Sequence, residues 1–321
     1  MVRIALAGDT MLGRCVGERL ATAPFPSLVD PGVRALTAGA DACLLNLECC
    51  VSERGSPWPA PGKPFFFRAP PRAASLLAWL GVDCVTLANN HALDYGPAAL
   101  LDTRRHLAQT GIGVVGAGAD VDQARAWHLL TVDGIRIGVL GVTDHPPDFA
   151  AAVDRPGVAF ADLRRQMPSW LRQSVADMAA QVDIAIVTPH WGRNMTTAPE
   201  PHVRAGAQAL RQAGADLVAG HSAHVFHGVA GPVLFDLGDF IDDYRRDPEL
   251  RNDLGLLFIV TVDKHGPIGL EAIPIGLDFG HTRLARPDEA DWIRHRFTTA
   301  SNKLGTPVTA TGDGRLAIAL R

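Results

Sequence analysis

The stretch from residue 214 to residue 228, GADLVAGHSAHVFHG, constrains the fold of this chain most strongly. An apolar run stops at Gly220, and three histidines follow within a few residues, namely His221, His224 and His227. A buried strand that ends in a cluster of imidazoles is typical of a metal site. Imidazole is the commonest protein ligand for metals, and a strand end holds the rings in place. The alternative is a set of polar residues at the mouth of a loop.

Four other apolar segments also end in polar side chains. They cover residues 3–9, 41–48, 82–88 and 183–189, and the side chains at or just after their ends are Asp9, Glu48, Asn89, Asn90, His91, His190 and Trp191. Open α/β sheets bind ligands at the carboxyl ends of their strands. A series of such endings therefore indicates a shared site. For Asp9, the cap of a following helix is a competing interpretation.

Helical patterns alternate with strands early in the chain, and hairpins follow later. Helices are predicted at residues 12–20, 72–80, 97–109, 163–181, 199–213 and about 288–302. Hairpins are predicted at residues 127–143 and 254–279, and single strands at 111–118 and 232–240. This combination predicts an α/β fold with mixed sheets. Because no repeat or clear linker interrupts the chain, we expect residues 1–321 to form a single domain.

Composition restricts the classes of partner. The chain is 47% hydrophobic, which is ample for a core, and its net charge is −4, so we expect no nucleic-acid partner. No segment reaches the roughly 18 uninterrupted apolar residues of a membrane helix, so we expect a cytoplasmic protein without a membrane anchor. The five cysteines lack CxxC spacing, which argues against a disulfide framework and a thiolate zinc site.

The polar residues at the strand ends form a candidate set of metal ligands, namely Asp9, Glu48, Asn90, His190, His221 and His224. Carboxylate, amide and imidazole donors suit Mn, Fe, Zn or Mg better than an ion that prefers thiolates. A carboxylate can bridge two cations. We therefore expect a site for two divalent metal ions.

A long loop rich in proline and glycine is predicted at residues 53–71, and loops of this length in compact domains are often functional. The triplet Phe65, Phe66 and Phe67 is expected to anchor the loop on the core. Lys63 and Arg68 are candidates to contact a negatively charged substrate.

Seven motifs occur in a characteristic order: GDTMLGR, NLEC, KPFFFRAPP, LANNHALDYG, TPHWG, GADLVAGHSAH and LFDLGDF. Together they resemble the CapA family, which is named for poly-γ-glutamate capsule synthesis proteins and is related to calcineurin-like metallophosphoesterases. The resemblance extends from about residue 3 to residue 244. It implies a four-layer α/β/β/α sandwich with two mixed sheets, in which about residues 255–321 complete the second sheet and add a final helix.

The resemblance also implies how the metal ligands are divided. Asp9 would be a ligand from the first motif, and Glu48 would take the place of the bridging carboxylate. One metal would be bound by Asn90, His190 and His221. The other would be bound by His224 together with Asp9 and Glu48.

Further roles follow from the same resemblance. His91 would be a histidine that is not a ligand and that protonates a leaving group or stabilises an oxyanion. Asp94 would orient His91, although a helix cap is the competing interpretation. Asn89, Arg68 and Trp191 are weaker candidates for substrate contact.

The chain departs from the phosphoesterase pattern at several positions. The first phosphoesterase motif is Asp-x-His, and Met11 stands where that histidine would be. Glu48 replaces an aspartate, and two residues separate His221 from His224 where the phosphoesterases have one. Asp239 lies where the family often has asparagine, and its role stays open.

These patterns favour a metal-dependent hydrolase that acts on a phosphoester or on an amide such as a γ-glutamyl bond. The substrate would be a small-molecule or peptide-like anion. One alternative is an accessory protein for the biosynthesis or export of poly-γ-glutamate or a related polymer. Another is a binding module that has kept the fold without turnover.

Overall fold

Two mixed β-sheets pack face to face and carry helices on their outer faces. The computed structural model describes residues 1–59 and 62–321. The layers follow one another as helix, sheet, sheet and helix, so the predicted α/β fold with mixed sheets is confirmed. The loop predicted at residues 53–71 includes residues 60 and 61, which lie outside the described residues.

Strands and helices in the described residues have the following bounds. The strands are β1 (Val2–Thr10), β2 (Ala42–Leu47), β3 (Cys50–Val51), β4 (Arg68–Ala69), β5 (Cys84–Thr86), β6 (Gly113–Val115), β7 (Ala117–Gly118), β8 (His128–Val132), β9 (Ile135–Thr143), β10 (Gly157–Val158), β11 (Ile184–His190), β12 (Leu217–Ala219), β13 (Val229–Ala230), β14 (Val233–Leu234), β15 (Asp239–Ile241), β16 (Leu254–Asp263), β17 (Gly266–Leu277), β18 (Thr282–Leu284), β19 (Thr309–Ala310) and β20 (Leu316–Ala319). The helices are α1 (Arg14–Thr22), α2 (Pro31–Ala38), α3 (Arg72–Trp79), α4 (Gly96–Gln109), α5 (Val121–Arg125), α6 (Ser169–Ala179), α7 (Pro201–Gln212) and α8 (Pro287–Lys303).

The larger sheet has the strand order β19-β20-β17-β16-β1-β2-β5-β6, with β15 beside β1 and β18 beside β17. Strands β1, β2, β5 and β6 run parallel, whereas β16 and β17 form a long antiparallel hairpin. The smaller sheet has the order β13-β14-β12-β11-β9-β8 and is parallel from β14 to β9. A helix connects most successive parallel strands, whereas the connection from β12 to β14 contains β13 instead.

Three hydrophobic cores hold the layers together, and strand alternation distributes the side chains among them. In β1, Ala5 and Ala7 face helices α1 to α4, while Ile4 and Leu6 face the opposite sheet. In β11, Ile186 lies between the sheets with its neighbours from β9 and β12, and Val187 packs with α6 and α7. Because both faces of these central strands are buried, their sequences are nearly continuous apolar runs.

Most predicted elements are present. The helices expected at residues 72–80, 97–109, 199–213 and 288–302 correspond to α3, α4, α7 and α8, and both predicted hairpins are confirmed. None of the helices in the described ranges is both long and apolar enough to cross a membrane.

Three predictions were wrong in extent. Helix α6 begins at Ser169 rather than residue 163, because Pro168 precedes it and disfavours a helical conformation at residue 167. The segment at 111–118 divides into β6 and β7, which lie in different sheets, and the segment at 232–240 divides into β14 and β15. Tight turns at Gly116 and Gly238, both with positive φ, separate these pairs.

The C-terminal strands also differ in their placement. Strands β16 to β20 extend the larger sheet, which contains β1, and do not join the sheet formed by β9, β11 and β12. Helix α8 packs through Ile293 and Phe297 into the core between the sheets. The final helix is therefore present as predicted, but residues 255–321 complete the sheet in which the chain begins.

Strand β1 approaches the β14–β15 connection closely at Gly8. A Cβ atom added to Gly8 would lie 1.8 Å from the carbonyl oxygen of Gly238. That same oxygen accepts a hydrogen bond of 2.8 Å from the backbone N–H of Asp9. A side chain at residue 8 is therefore incompatible with the contact that fixes Asp9.

We expect Gly8→Ala to lower the free energy of unfolding by about 3 kcal/mol, because the backbone at Gly238 cannot give way as a flexible side chain would. Gly269→Ala is the matched control, since Gly269 also lies in a strand and its added Cβ would meet no atom closer than 3.6 Å. Urea denaturation measures both. Equal stability of the two variants would contradict the close approach.

Candidate metal centre

The carboxyl ends of parallel strands from both sheets meet at one place. At the end of β1, Asp9 is in register with Asn46 of β2 and with Asp239 of β15. In the facing sheet, His190 ends β11 and forms an isolated parallel bridge with His221, which follows β12. The two sheets thus bring carboxylates and imidazoles together from opposite sides.

Asp9 lies at the centre of this cluster and is 1% exposed. Its Oδ1 is 3.1 Å from Nδ1 of His221, and its Oδ2 is 3.5 Å from Nδ1 of His224. The side-chain amide of Asn46 donates a hydrogen bond of 2.8 Å to Oδ1, and the backbone N–H of Ser222 donates to Oδ2 at 3.3 Å. These contacts fix both carboxylate oxygens.

Glu48 reaches the same cluster from the end of β2. It is fully buried, with Oε1 at 3.4 Å from Nε2 of His190 and Oε2 at 3.8 Å from Nδ1 of His224. One oxygen therefore approaches a histidine of the smaller sheet, and the other approaches the histidine that follows the β12 strand end. This placement is compatible with the bridging position that the resemblance gives to Glu48.

Two groups of residues each have the size and donor set to hold a metal ion. The first consists of Asp9, Glu48 and His190, and the second consists of Asp9, His224 and Asp239. Within each group, one ligand atom from every residue lies within 4.8 Å of the others. Asp9 is common to both groups, so the two would share a carboxylate.

This division differs from the one expected by resemblance. His190 groups with Asp9 and Glu48, whereas His224 groups with Asp9 and Asp239. His221 belongs to neither group of three but contacts Asp9. Asn90 is placed after the end of β5, and its Oδ1 is buried without a hydrogen-bond partner among the described residues.

Many atoms of the cluster are buried without a hydrogen-bond partner in the described chain. They include both oxygens of Glu48, both ring nitrogens of His190, Nδ1 of His221 and Oδ2 of Asp239. Leaving buried polar atoms unpaired costs about 1–3 kcal/mol each, and more for charged groups. A divalent cation would coordinate these oxygen and nitrogen atoms, so the residues present fit the metal ions that the family implies.

Burial also shifts the pKa values of several groups in the cluster. Burial raises the pKa of Glu48 well above its usual range; His224 opposes this shift and Asp9 adds to it. Burial, together with the charge of Asp242, also raises the pKa of Asp239. Burial, together with His145, lowers the pKa of His190 well below its usual range. The ionised carboxylates and neutral imidazoles that bind metals best would be stabilised by a cation here.

A surrounding set of amides and carboxylates orients the cluster. The side-chain amide of Asn89 donates a hydrogen bond of 2.9 Å to Oδ1 of Asn46. This bond orients the side-chain amide of Asn46 so that it donates to Asp9. Asp236 accepts hydrogen bonds from the backbone N–H groups of Ala223 and Gly238 at 2.7 and 2.9 Å. These bonds hold the segment after β12 against the turn that precedes β15.

The spacing of His221 and His224 depends on an unusual backbone. Ser222 and His224 have φ values of 112° and 58°, and residues other than glycine rarely adopt such positive values. The two intervening residues therefore form a tight turn that returns His224 to the cluster. His227 lies further along, and its Nε2 is 3.0 Å from the backbone oxygen of Thr196.

His91 lies beside the cluster and outside both groups of ligands. Its Nδ1 is 2.6 Å from Oδ2 of Asp94, and its ring packs against Phe67 with a centroid distance of 4.1 Å. Asp94 also accepts a hydrogen bond from the backbone N–H of Phe67 and pairs with Lys63 at 2.8 Å. The contact with Asp94 fixes the orientation of the His91 ring, and the side chain of Asp94 does not cap helix α4.

Three residues that were predicted to contact the substrate do not line the cavity beside His91. Trp191 is 2% exposed, and its indole N–H donates to the backbone oxygen of Phe235 within the core of the smaller sheet. The Asn89 amide is buried and bonded to Asn46 and Leu47. Lys63 is held by Asp94 and by the backbone oxygen of Asn90. All three support the structure around the site.

The remaining candidates are placed as follows. Arg68 stacks on Tyr95, with its guanidinium carbon 4.2 Å from the ring centroid, and does not line the cavity beside His91. Met11 is fully buried in the core beneath the helices, so it supplies no ligand in place of the expected histidine. Of the Phe triplet, Phe67 is buried as an anchor, while Phe65 is 54% exposed.

A cavity of about 350 Å³ opens next to the cluster. His91 and His224 lie at its inner end, and Arg14, Phe65, Phe67, Asn194, Met195, Tyr244, Arg245 and Asn252 complete its walls. Arg14 pairs with Asp243 at 3.4 Å, whereas no carboxylate in the described part of the chain pairs with Arg245. The entrance is therefore positively charged and partly apolar.

Several of these residues are missed by reasoning from the sequence. The sequence pattern leaves Asp239 without a role. Two short strands precede these residues: Asp236 follows β14, and Tyr244 and Arg245 follow β15. Strands this short do not stand out in the sequence as apolar runs. The dense acidic pattern of LFDLGDFIDDY is the signal that could have found them.

The fold and the cluster together define a class: a two-sheet α/β sandwich with the donor set of a metal-binding protein at its strand ends. Comparison with known proteins specifies the family. The profile of the family described as "Bacterial capsule synthesis protein PGA_cap" matches residues 3–244. The chain belongs to this family, and the resemblance to CapA proteins is confirmed.

Individual relatives are consistent with this assignment. A probable polyglutamine synthesis accessory protein of Mycobacterium tuberculosis is 31% identical over 99% of this chain and 96% of that protein. The PGA biosynthesis protein CapA of Bacillus subtilis is 28% identical over 81% of this chain and 71% of that protein. A hypothetical protein from Thermus thermophilus superposes with a TM-score of 0.49 and 16% identity, covering 85% of this chain and 98% of that one. That structural similarity is too low to support an argument about function.

We expect Glu48→Gln to weaken the thermal stabilisation that Mn²⁺ gives to the metal-free protein, because Glu48 belongs to one of the two groups of candidate ligands. At about 100 times the dissociation constant, metal binding stabilises a folded protein by about 2.7 kcal/mol. The metal-free variant should be at least as stable as the metal-free parent, because a neutral amide replaces a buried carboxylate. Differential scanning calorimetry with and without Mn²⁺ measures both effects.

The matched control is Glu53→Gln, the same chemical change at an exposed position five residues further along the chain. It should retain the full response to Mn²⁺. A full response in Glu48→Gln as well would exclude Glu48 from the ligand set.

Proposed function

We propose that this protein is a metal-dependent hydrolase that uses water to cleave a bond in an anionic substrate. The observation that carries the proposal is the set of buried atoms without hydrogen-bond partners in the described chain, on Glu48, His190, His221 and Asp239. Residues needed only for stability would be paired with one another or replaced by apolar side chains. Such an energetically unfavourable arrangement is expected where the residues bind a charged species that takes part in catalysis.

The cluster residues would hold the cations. Asp9, Glu48 and His190 are suited to hold one ion, and Asp9, His224 and Asp239 the other. We propose two divalent ions, drawn from Mn, Fe, Zn and Mg, because the donors are carboxylates and imidazoles. When bound, such an ion polarises a phosphoryl or acyl oxygen and lowers the pKa of water.

His91 is the residue best placed to move a proton. The bond between its Nδ1 and Asp94 sets the orientation of the ring, which leaves Nε2 for a molecule in the cavity that His91 lines. Burial lowers the pKa of His91, although Asp94 opposes this shift. We therefore assign His91 as the general acid that donates from Nε2 to the leaving atom, with Asp94 as its positioning residue.

The charge of the cavity supports an anionic substrate. Arg14 and Arg245 lie in its wall, and in the described residues Arg245 has no carboxylate partner. The volume of about 350 Å³ suits a small molecule or a short part of a longer chain. A phosphate ester or a carboxylate beside an amide bond would meet both arginines.

An accessory role without turnover is the second candidate, and the names of relatives favour it. The relative from Mycobacterium tuberculosis is named a probable polyglutamine synthesis accessory protein. In such a role, the cluster would bind metal and the cavity would bind an acidic chain without cleaving it.

An assay with two chromogenic substrates separates these functions. Protein loaded with Mn²⁺ is incubated with p-nitrophenyl phosphate and with L-γ-glutamyl-p-nitroanilide. Hydrolysis that requires Mn²⁺ and is lost in Glu48→Gln supports the hydrolase, and the substrate that reacts identifies a phosphoester or an amide. Stoichiometric metal with no turnover of either compound would contradict the hydrolase and support the accessory role.

We expect His91→Ala to lower turnover of the active substrate by about 10²- to 10⁴-fold, the usual contribution of a general acid. Metal content should stay unchanged, because His91 lies outside both groups of ligands. Steady-state kinetics and elemental analysis test this pair of outcomes. His265→Ala, at an exposed position, is the control and should change neither quantity. Parallel loss of metal and turnover would make His91 a ligand.

We also propose a cytoplasmic location. All five cysteines are free thiols in the structure, and four of them are buried. Oxidising compartments favour paired cysteines, so this usage supports a reducing environment.

A further inference from the structure

The hydroxyl group of Tyr244 is a buried polar group outside the chemistry proposed for His91. Its Oη is inaccessible to solvent and has no hydrogen-bond partner among the described residues. The residue as a whole is only half-buried, and it lines the cavity of about 350 Å³ beside His91, which we call the metal-centre cavity. Tyr244 therefore contributes to the cavity wall while its polar end is hidden from water.

The surroundings of Tyr244 place its hydroxyl group near the cluster. The ring packs edge-on against that of His224, with the centroids 5.1 Å apart, and it lies 5.8 Å from the ring of Phe67. Burial, followed by the charges of Glu48 and Asp239, raises the pKa of Tyr244 well above its usual range. The phenol is therefore a neutral hydrogen-bond donor in the neighbourhood of carboxylates.

The backbone that carries Tyr244 is fixed by hydrogen bonds. The backbone N–H of Tyr244 donates to Oδ1 of Asp242 at 2.7 Å. The side chain of Asn252 donates to the backbone oxygen of Arg245 at 3.3 Å and accepts from the backbone N–H of Asp247 at 2.7 Å. These bonds hold the segment that follows β15, so the phenol is kept beside His224.

A phenylalanine at residue 244 would form the same part of the wall without burying a hydroxyl group. Leaving a buried hydroxyl without a hydrogen bond is unfavourable, so its presence calls for a partner. Both oxygens of Glu48 and Oδ2 of Asp239 are buried acceptors that also lack partners in the described part of the chain. An unpaired donor thus lies close to unpaired acceptors that belong to the candidate metal ligands.

We propose that Tyr244 is a positioning residue of the metal centre, and that its hydroxyl group donates a hydrogen bond to Glu48 when Glu48 binds a cation. Glu48 is the assigned partner because both of its oxygens are free and because Oε2 lies 3.8 Å from Nδ1 of His224, against which the phenol packs. Hydrogen bonds of this kind fix the orientation of a metal ligand. The inference rests on the metal binding in the proposed function and not on hydrolysis.

Titration of the metal-free protein with Mn²⁺ in an isothermal calorimeter tests this role. Tyr244→Phe removes only the hydroxyl group, and we expect it to weaken Mn²⁺ binding about 10- to 100-fold, the usual effect of losing a partner of a metal ligand. The matched control is Tyr95→Phe, the same change at the other tyrosine of the chain. The Tyr95 ring stacks with Arg68 and does not line the metal-centre cavity, so the affinity should change less than twofold.

The melting temperature without metal separates positioning from a structural role. Because the hydroxyl group has no partner among the described residues, Tyr244→Phe should leave the melting temperature of the metal-free protein unchanged or raise it. A lower melting temperature would identify a hydroxyl group that the fold itself needs, and it would overturn the proposal.

A double-mutant cycle tests whether Glu48 is the partner. Glu48→Met removes both carboxylate oxygens at a similar side-chain length, and Asp9, His224 and Asp239 remain to bind Mn²⁺. If Tyr244 acts through Glu48, adding Tyr244→Phe to this variant should change the affinity less than twofold. A tenfold loss in both backgrounds would show that the hydroxyl group acts elsewhere, which contradicts the assignment.

The outcomes distinguish this role from the hydrolase itself. Equal Mn²⁺ affinities of Tyr244→Phe and the parent protein would reject the role of Tyr244 and leave the metal centre in place. A parent protein that does not bind Mn²⁺ would overturn both. Weaker Mn²⁺ binding by Tyr244→Phe, in a protein that cleaves neither chromogenic substrate, would reject the hydrolase and support the role of Tyr244.

Discussion

The buried cluster of carboxylates and imidazoles is the constraint on which the rest of the structure depends. Asp9, Glu48 and Asp239 are at most 2% exposed, and they lie among histidines with little hydrogen bonding to offset the loss of water. Such a cluster could hold a cation, and a rigid backbone is needed to keep the candidate ligands in place. The contact of β1 with Gly238 and the turn at Ser222 supply that rigidity. The contacts that fix the backbone here therefore also position the candidate metal ligands.

The surrounding residues fix the orientation of the cluster and of His91. Asn46 and Asn89 orient Asp9 through a chain of amide hydrogen bonds, while Asp94 and Lys63 orient His91 from the other side. The loop that carries Lys63 and Phe67 therefore contributes structure more than direct substrate contact. Phe65, at the exposed edge of this loop, lines the cavity.

Cationic side chains line two cavities of this protein, although its net charge is negative. The metal-centre cavity contains Arg14 and Arg245, and a second cavity, at the C-terminal end of helix α8, contains Arg296 and Lys303. Short-range fields of this kind act within about 8 Å at physiological ionic strength, so they attract anions only near these openings.

The sequence by itself determined the α/β class, most strands and helices, and the main ligand candidates, because buried parallel strands are apolar runs whose polar ends stand out. It could not show that β14 and β15 belong to different sheets, since that division depends on a turn at Gly238 and on pairing with β1. For this reason the sequence did not identify Asp239 as a member of the cluster, and it placed Trp191 at the site although the residue lies in the core. Only the tertiary structure decided which side chains meet, because contacts between facing sheets join residues that are more than 200 positions apart.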